Sequence, residues 1–435
     1  MNIIPIHFRK HLVVTAVAAS LMTPFSNTFA QNASTEERLK DLEAKIAELE
    51  AEQDKAPPPA KEKKESKGFQ VGNTTVKIGG FIDLDVHFTD TSEGEISPTA
   101  AGGAGLDIFI PSLTPVDDGI PGDNSLQTDF TAQSSRFAIS TTTPTNAGDL
   151  STHLELDFLI SPGGNELVSN SFNPRLRRAY VDYRGFRVGQ EWSTFQGVHA
   201  IPESASFYTP AESQVFVRQP ILRYSFGNFQ VALENPQTFI QDPPAGSGTI
   251  GDDGVIPDII GRYNFKGGFG IISLAGILRE LAVETEEVDE TTVGIGFSIA
   301  GRVKVGGADD IRFSLQAGEG LGRYVGLGIL RGAEFDAVTG ELDAIGSVSG
   351  SFAYRHVSGP WSYNFGISLL EIDLDEGNVD NLDETESAQS GYVAVVRKVG
   401  PKLTIAGEVL LGQRELVDGA DGEINRLTFS VKQLF

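Results

Sequence analysis

The end of the chain carries the feature that most restricts its fold. The last residues, Arg426 to Phe435, alternate polar and apolar side chains and stop on phenylalanine. Alternation with a period of two sends neighbouring side chains to opposite faces of a β-strand. In a soluble sandwich the polar face would meet water, whereas in a membrane barrel the apolar face meets lipid and the polar face lines a water-filled interior. One strand fits either arrangement, so the choice depends on repetition.

The same alternation begins near Thr75 and returns several times along the chain. Strands of about ten residues are long for a sandwich but match a tilted membrane crossing. Aromatic residues near many strand ends fit the girdles of membrane proteins. After residue 30 no run reaches the roughly 18 apolar residues that a membrane helix needs. The pattern therefore favours a transmembrane β-barrel. The clearest repeats are 153–158, 311–316, 361–369 and 403–411.

Short and long connections alternate between the expected strands, as the inner turns and outer loops of such barrels do. Among the long acidic connections we predict 281–290 and 415–423. A first count gives an odd number of strands, which would leave the two ends on opposite sides of the membrane. Treating 318–343 as one outer loop, in which Tyr324–Ile329 does not span, restores an even number. The expected fold is all-β, a barrel of sixteen antiparallel transmembrane strands with an N-terminal coiled-coil helix.

Residues 1–30 have the layout of a secretory signal peptide. Arg9 and Lys10 precede a short apolar stretch, and small residues precede a cleavage point after Ala30. A membrane anchor is the weaker alternative, because the apolar stretch is too short to span a bilayer.

Residues 31–55 are predicted to form a coiled-coil helix in the periplasm. Their leucine and isoleucine residues follow the a/d spacing of a heptad repeat, with Glu and Lys on the other faces. Two heptads are marginal alone, so this helix makes sense where a larger assembly holds several copies together. A solvated single helix is the alternative. A Pro/Lys-rich linker, 56–72, leads to the barrel, 73–435.

The composition excludes several classes of protein. A formal net charge of −25 would repel nucleic acid. Cysteine is absent, which excludes disulfides and thiolate metal sites. The histidines show no metal-ligand spacing, and the acidic stretch Asp373–Asp383 is better explained as a solvated loop than as a calcium site. We expect no catalytic residue, no metal, no cofactor and no enzymatic activity.

One connection, about 192–213, departs from the regular succession of strands and turns. It mixes small residues with Trp192, Phe195, Phe207 and Tyr208, and exposing that much aromatic surface would be costly. We therefore predict a constriction loop that folds into the barrel and packs its aromatic side chains on the inner wall. The alternative is an external loop with aromatic residues at the rim. The carboxylates predicted to face the remaining aperture are Glu203 and Glu212.

Arginines are concentrated on the strands around this loop. A ring of cations is what an anion-selective aperture needs, and arginine binds carboxylates through two nitrogens without losing its charge. The alternative is that these arginines pair with carboxylates and hold the loop in place. Alternation directs Arg177 outward unless a bulge intervenes, and Pro220 interrupts the strand of Arg218. The candidate residues are Arg136, Arg175, Arg177, Arg178, Arg218, Arg223 and Arg262.

Several motifs resemble those of the DcaP-like porins, within the general-porin superfamily of trimeric 16-stranded barrels. Ser134–Phe137, Arg178–Tyr183 and the terminal Phe435 resemble the general-porin superfamily, and Leu176–Tyr180 and Gly189–Phe195, together with the coiled coil and the Pro/Lys linker, resemble the DcaP-like porins more specifically. The resemblance covers nearly the whole mature chain, and its most specific motifs lie between 134 and 195. It implies a homotrimer, a periplasmic coiled coil, and uptake of dicarboxylates or related organic anions. The selectivity residues that it implies are Arg136, Arg175, Arg177 and Arg178.

The sequence thus predicts a porin of the bacterial outer membrane, surrounded by lipid and lipopolysaccharide. Small organic anions would diffuse passively through its arginine-lined constriction. Two alternatives stay open. The first is a general porin with little substrate preference, and the second is a structural envelope anchor that acts through the coiled coil.

Overall fold

The computed structural model describes residues 68–435, except 118, 120–124, 161–162, 167–168, 252–253, 329 and 375–380. The predicted signal peptide, the predicted helix and most of the linker lie outside the described residues. No helix in the described part of the chain has the length and apolar character needed to cross a membrane.

Sixteen antiparallel strands close into a barrel, which confirms the predicted barrel. The second barrel strand has two segments that both pair with the first. The last strand pairs with the first from Phe81 to Thr91, and this pairing closes the barrel. In chain order the strands are β1 (Thr74–Thr91), β2 (Gln127–Thr131 and Arg136–Thr145), β3 (Gly148–Asp157), β4 (Arg175–Tyr183), β5 (Phe186–Trp192), β6 (Arg218–Phe226), β7 (Phe229–Glu234), β8 (Asp258–Gly267), β9 (Gly270–Glu284), β10 (Asp289–Gly306), β11 (Asp309–Glu319), β12 (Gly346–Ser358), β13 (Trp361–Asp373), β14 (Thr385–Lys398), β15 (Leu403–Leu416) and β16 (Asp421–Leu434).

Strand β13 shows how alternation determines the two faces of the wall. Its residues alternate between exposed and buried along the whole strand. Tyr363 and Phe365 lie on the exposed face, while Ser362 and Asn364 lie on the buried face. An exposed apolar face and a buried polar face are the reverse of a soluble fold and match a barrel that meets lipid outside and water inside.

Two connections are shorter than the sequence predicted. The loop expected at 281–290 is a tight hairpin, because β9 continues to Glu284 and β10 begins at Asp289. The loop expected at 415–423 likewise contains only 417–420. At the first, Leu281 and Val283 are buried against Ile240 and extend β9 under the cover of other connections, and at the second Leu416 is buried at the end of β15. Acidic composition was therefore a poor guide to where these strands end.

The connection between β11 and β12 does not cross the membrane, as predicted. It contains short 3-10 turns at Gly322–Tyr324 and Gly326–Gly328, followed by two short strands. These strands join two from the β7–β8 connection in a small four-stranded sheet, with Ile240 paired in parallel to Ala333. This sheet ties two long connections together at one end of the barrel.

Strands β4 and β5 approach each other closely at Gly189. Its φ is +128°, and a Cβ there would lie 2.2 Å from the Ala179 carbonyl oxygen. We expect Gly189→Ala to separate the two strands and to cost about 3 kcal/mol through overpacking. The measurement is the temperature at which the folded barrel loses its compact mobility on a gel. The matched control is Gly261→Ala in β8, where a Cβ meets nothing within 4 Å; equal melting of the two variants would contradict the prediction.

Candidate functional site

The connection between β5 and β6, residues 193–217, folds into the barrel, and we call it the inward loop. Near its start Arg223 Nε donates to Thr194 Oγ1 at 2.8 Å. Farther along, the Ser206 hydroxyl donates to Glu408 on β15 at 2.6 Å. The inward loop therefore extends along the inner wall from β6 as far as β15.

The returning half of the inward loop is held by polar side chains of the wall. Gln214 donates from Nε2 to Ser351 Oγ at 2.8 Å, and the Ser390 hydroxyl donates to Glu212 at 2.9 Å. Small serines on the inner faces of β12 and β14 leave room for the loop and supply its partners. These bonds satisfy loop groups that would otherwise be buried without partners.

Arg223 and Arg262 anchor the first part of the inward loop. Arg262 Nη1 donates to the Gln196 carbonyl oxygen at 2.6 Å, and its Nη2 lies 3.3 Å from His199 Nδ1. Burial lowers the pKa of His199 to about 4, so the ring is neutral at neutral pH. The geometry of both arginines therefore matches the alternative of loop anchoring.

A bulge turns Arg177 toward the interior. Glu155 pairs with Arg178 while Leu156 pairs with Leu176, so Arg177 is the extra residue of β4. Its side chain is 2 % exposed and lies 2.7 Å from Glu155 and 2.6 Å from Asp157.

The remaining arginines of this wall also have carboxylate partners. Arg175 binds Asp157 through two nitrogens, at 2.8 and 2.9 Å. Arg178 binds Glu191 in the same way, at 2.7 Å for each contact, and Arg136 Nη1 lies 3.6 Å from Glu155 Oε1. The four arginines Arg136, Arg175, Arg177 and Arg178 face the three carboxylates Glu155, Asp157 and Glu191, which leaves a formal charge of about +1.

Arg218 lacks a carboxylate partner among the described residues. Its guanidinium carbon lies 4.6 Å from the Trp192 ring centroid and 5.1 Å from that of Phe216. Its Nη1 is buried and has no hydrogen-bond acceptor in the described part of the chain. Arg218 begins β6 on the same face as the exposed Pro220, but its guanidinium is turned onto the Trp192 and Phe216 rings beside the inward loop.

A cavity of about 370 Å³ lies beside the inward loop. Three guanidinium groups line it, from Arg175, Arg218 and Arg323. Arg323 donates to the neutral Gln237 side chain at 2.9 Å, so like Arg218 it forms no ion pair with a described carboxylate. The other lining side chains are mostly apolar and include Ile108, Ile110, Ile160, Phe207, Tyr208, Phe216 and Leu327.

The two loop carboxylates occupy different environments. Glu203 is partly exposed and accepts hydrogen bonds from Ser362 and Asn364. Glu212 is fully buried and points to Ser390 on the wall. Glu212 therefore does not face an aperture, contrary to expectation, because the serine-rich wall offers its carboxyl group a hydrogen bond.

Sequence reasoning missed a second basic group on β10, β11 and β12. Arg302 and Arg312 each lie 2.8 Å from Asp310, and Arg355 lies 2.5 Å from the same carboxylate. Alternation had placed Arg312 on the polar face of its strand, but nothing local showed that three arginines share one aspartate. Only the register of the three strands brings them together.

Groups of three or more acidic or histidine side chains placed to hold a metal ion do not occur among the residues that the structure describes.

Burial gives the inward loop a titratable contact. It raises the pKa of Glu212 from the ordinary value of 4.5 to about 7. The docked loop buries the neutral form of the Glu212 carboxyl group. Its stability is therefore full below pH 4.5 and is lost as pH rises through about 7, where the buried group ionises.

We therefore expect the wild-type channel to show steadier current in acid and more frequent fluctuations above pH 7. Glu212→Gln, which keeps a neutral hydrogen-bonding side chain, should make the current steady at both pH values. Single-channel recording across this range is the measurement. A Gln variant with the wild-type pH dependence would assign the titration to another group.

Known proteins resemble this chain in sequence and in fold. A family model described as DcaP outer membrane protein matches residues 67–339, more than half of the chain. None of the functionally curated proteins matches it. The outer membrane channel DcaP of Acinetobacter baumannii has a TM-score of 0.67 at 19 % identity, covering 85 % of this chain and 99 % of that chain.

Two other outer-membrane proteins have a similar fold. OmpT of Vibrio cholerae gives a TM-score of 0.51 at 12 % identity, covering 84 % of this chain and 99 % of that chain. An anion-selective porin from Comamonas acidovorans gives 0.50 at 14 % identity, covering 83 % of this chain and 100 % of that chain. At such low identities the likeness shows the fold alone.

Proposed function

This chain belongs to the DcaP outer membrane protein family, and from that premise we propose that it conducts small organic anions, such as dicarboxylates, by passive diffusion. Family membership makes it a channel of the outer membrane rather than an enzyme. A barrel of sixteen strands is wide enough to hold a water-filled passage. Which ions pass then depends on the charges left without partners beside the inward loop.

The cavity with Arg175, Arg218 and Arg323 carries the proposal. Arg218 and Arg323 have no carboxylate partner among the described residues, so two positive charges point toward this space uncompensated. A free guanidinium N–H binds a carboxylate strongly, especially away from bulk water. The charge of the β2–β4 arginines adds little, because Glu155, Asp157 and Glu191 neutralise most of it.

Apolar side chains around these guanidinium groups favour organic over inorganic anions. The aromatic and branched side chains of the cavity would contact the carbon skeleton of a solute while the arginines bind its charged end. This is our reason for preferring a selective channel to a general porin.

The barrel wall supports a homotrimer. Strands β5 and β7 have seven and six residues, fewer than the roughly 9 that a membrane-crossing strand needs. Other subunits, rather than lipid, would cover this low part of the wall. The exposed apolar faces elsewhere would contact membrane lipid, with lipopolysaccharide in the outer leaflet.

The N-terminal assignments complete the proposal. Residues 1–30 would direct export, and 31–55 would form the periplasmic coiled coil of the trimer. If the chain is instead a structural anchor, deleting 31–67 should damage the envelope while conductance stays intact.

Reversal potentials in a salt gradient across a planar bilayer test the proposed selectivity. We expect an anion preference that grows as the salt concentration falls, because screening weakens. A cation preference at low salt would contradict the proposal. For comparison with a general porin, liposome swelling should be faster with a dicarboxylate than with a neutral sugar of similar size; equal rates would favour the general porin.

A further inference from the structure

The arginines on β10, β11 and β12 have fewer carboxylate partners than Arg136, Arg175, Arg177 and Arg178 on β2 and β4. Arg302, Arg312 and Arg355 share the single carboxylate of Asp310, which is itself 2 % exposed. Arg302 and Arg312 occupy directly opposite positions of neighbouring strands. Like charges in such positions repel each other, and one aspartate cannot compensate three guanidinium groups.

The surroundings of the trio hold two further cations and one further carboxylate. Arg262 and Lys266 lie on the same side of the barrel, close enough to lower the pKa of His199 together with burial and Arg302. Glu203 of the inward loop is the other nearby carboxylate, 3.9 Å from Arg355. Asp309 has its carboxylate bound to His356 and Tyr354, whose ring is exposed on the lipid-facing side.

Arg302 and Arg312 each keep one terminal nitrogen without a hydrogen bond to a described acceptor. Arg302 bonds through Nε and Nη2, Arg355 does the same, and Arg312 bonds through Nε and Nη1. The remaining terminal nitrogen of Arg355, Nη1, lies 3.9 Å from the Glu203 carboxylate. Arg302 is 43 % exposed, so solutes in the lumen reach this group.

The trio and the cavity of the proposed function lie on different sides of the inward loop. Arg312 donates from Nη1 to the Ile201 carbonyl oxygen of the loop. The trio lies within a few residues of the tight β10–β11 and β12–β13 turns. Arg175 and Arg218, in contrast, lie at the strand ends farthest from the tight turns of β4 and β6.

We propose that Arg302, Arg312 and Arg355 form a second anion-binding site, specific for small dianions, near the tight-turn mouth of the channel. Asp310 and Glu203 leave the trio a formal charge of about +1, and Arg262 and Lys266 nearby add to it. A dianion supplies the missing negative charge and accepts the free N–H groups of Arg302 and Arg312. A monoanion of similar size would compensate the repulsion among the three guanidinium groups only in part. This inference rests on the proposed function in one respect: the two sites would act in series on the same solutes.

Block of the potassium chloride current by disodium succinate, added to each side in turn, tests the site. Sodium acetate at equal ionic strength is the monovalent probe. We expect succinate to reduce the wild-type current at lower concentration than acetate does, and more strongly from one side. In the quadruple variant Arg302→Gln, Arg312→Gln, Arg355→Gln, Asp310→Asn, the half-blocking concentration should rise about tenfold or more, given the strength of charged hydrogen bonds.

Two further variants keep the test specific. Arg397→Gln removes a cation whose guanidinium lies 5.0 Å from the exposed Trp361 ring, outside the lumen, and should leave block unchanged. Arg312→Lys alone should retain most of the block, because the charge remains. Heat-modifiable gel mobility reports whether each variant is folded.

The outcomes separate this site from the proposed function. Unchanged succinate block in the folded multiple variant, or an equal loss in Arg397→Gln, overturns the dianion site even if the wild-type channel prefers anions. A wild-type preference for cations, with succinate block that still requires the trio, overturns the proposed function and leaves the site standing.

Discussion

Replacing residues 198–213 of the inward loop with a flexible Gly/Ser linker is expected to raise single-channel conductance roughly twofold or more, because current follows the open cross-section of the lumen. The replaced segment includes both loop carboxylates and the contact with Glu408. Thr194 and Gln196 stay in place, so the arginines that hold the start of the loop keep their partners. Planar-bilayer recording gives the conductance directly.

A glycine replacement in another connection controls for general loosening of the barrel. The tip 337–340 lies between two short strands of the four-stranded sheet, and Val338 there is 95 % exposed. Replacing this tip with glycines should leave conductance unchanged. If the inward-loop variant is folded and still conducts like wild type, the loop does not limit the current.

The double substitution Arg136→Gln, Arg178→Gln is expected to shift ion preference strongly toward cations. It leaves Arg175 and Arg177 facing Glu155, Asp157 and Glu191, so the local charge changes sign. In water, the interaction energy between two unit charges about 8 Å apart is about 0.5 kcal/mol. Losing two positive charges therefore lowers the rate of anion entry roughly fivefold. Reversal potentials in a salt gradient measure this change.

Conservative substitutions separate charge from geometry. Arg136→Lys with Arg178→Lys keeps both charges but loses the two-nitrogen contact to Glu191. This variant should retain most of the wild-type ion preference. Unchanged preference in the glutamine variant would remove both residues from the selectivity site and leave the cavity arginines to account for it.

The barrel was predictable from sequence because its main signal is local. Alternation along one strand reveals both faces, as β13 shows with Tyr363 outside and Ser362 inside. Strand ends were harder to predict at Glu284 and Leu416, where other connections of the barrel cover the extended ladder. At these two positions an acidic loop and an extended hairpin have the same amino-acid composition, so the sequence does not distinguish them.

The site was predictable only in part, because charge compensation depends on register. The bulge that turns Arg177 inward is a two-strand feature, invisible in β4 alone. The meeting of Arg302, Arg312 and Arg355 at one aspartate needs three strands in register. Sequence reasoning could therefore propose arginines near the inward loop but could not tell paired from unpaired ones.

The bond between the inward loop and Glu408 also constrains the order of folding. Its partners, Ala205 and Glu408, are 203 positions apart in the chain, and contacts between distant residues form slowly because the intervening chain must be ordered first. Strand β15 has to be in place before the loop reaches its final position. The barrel therefore acquires its wall first and its narrowing last, so a newly inserted channel passes through a wider, less discriminating state.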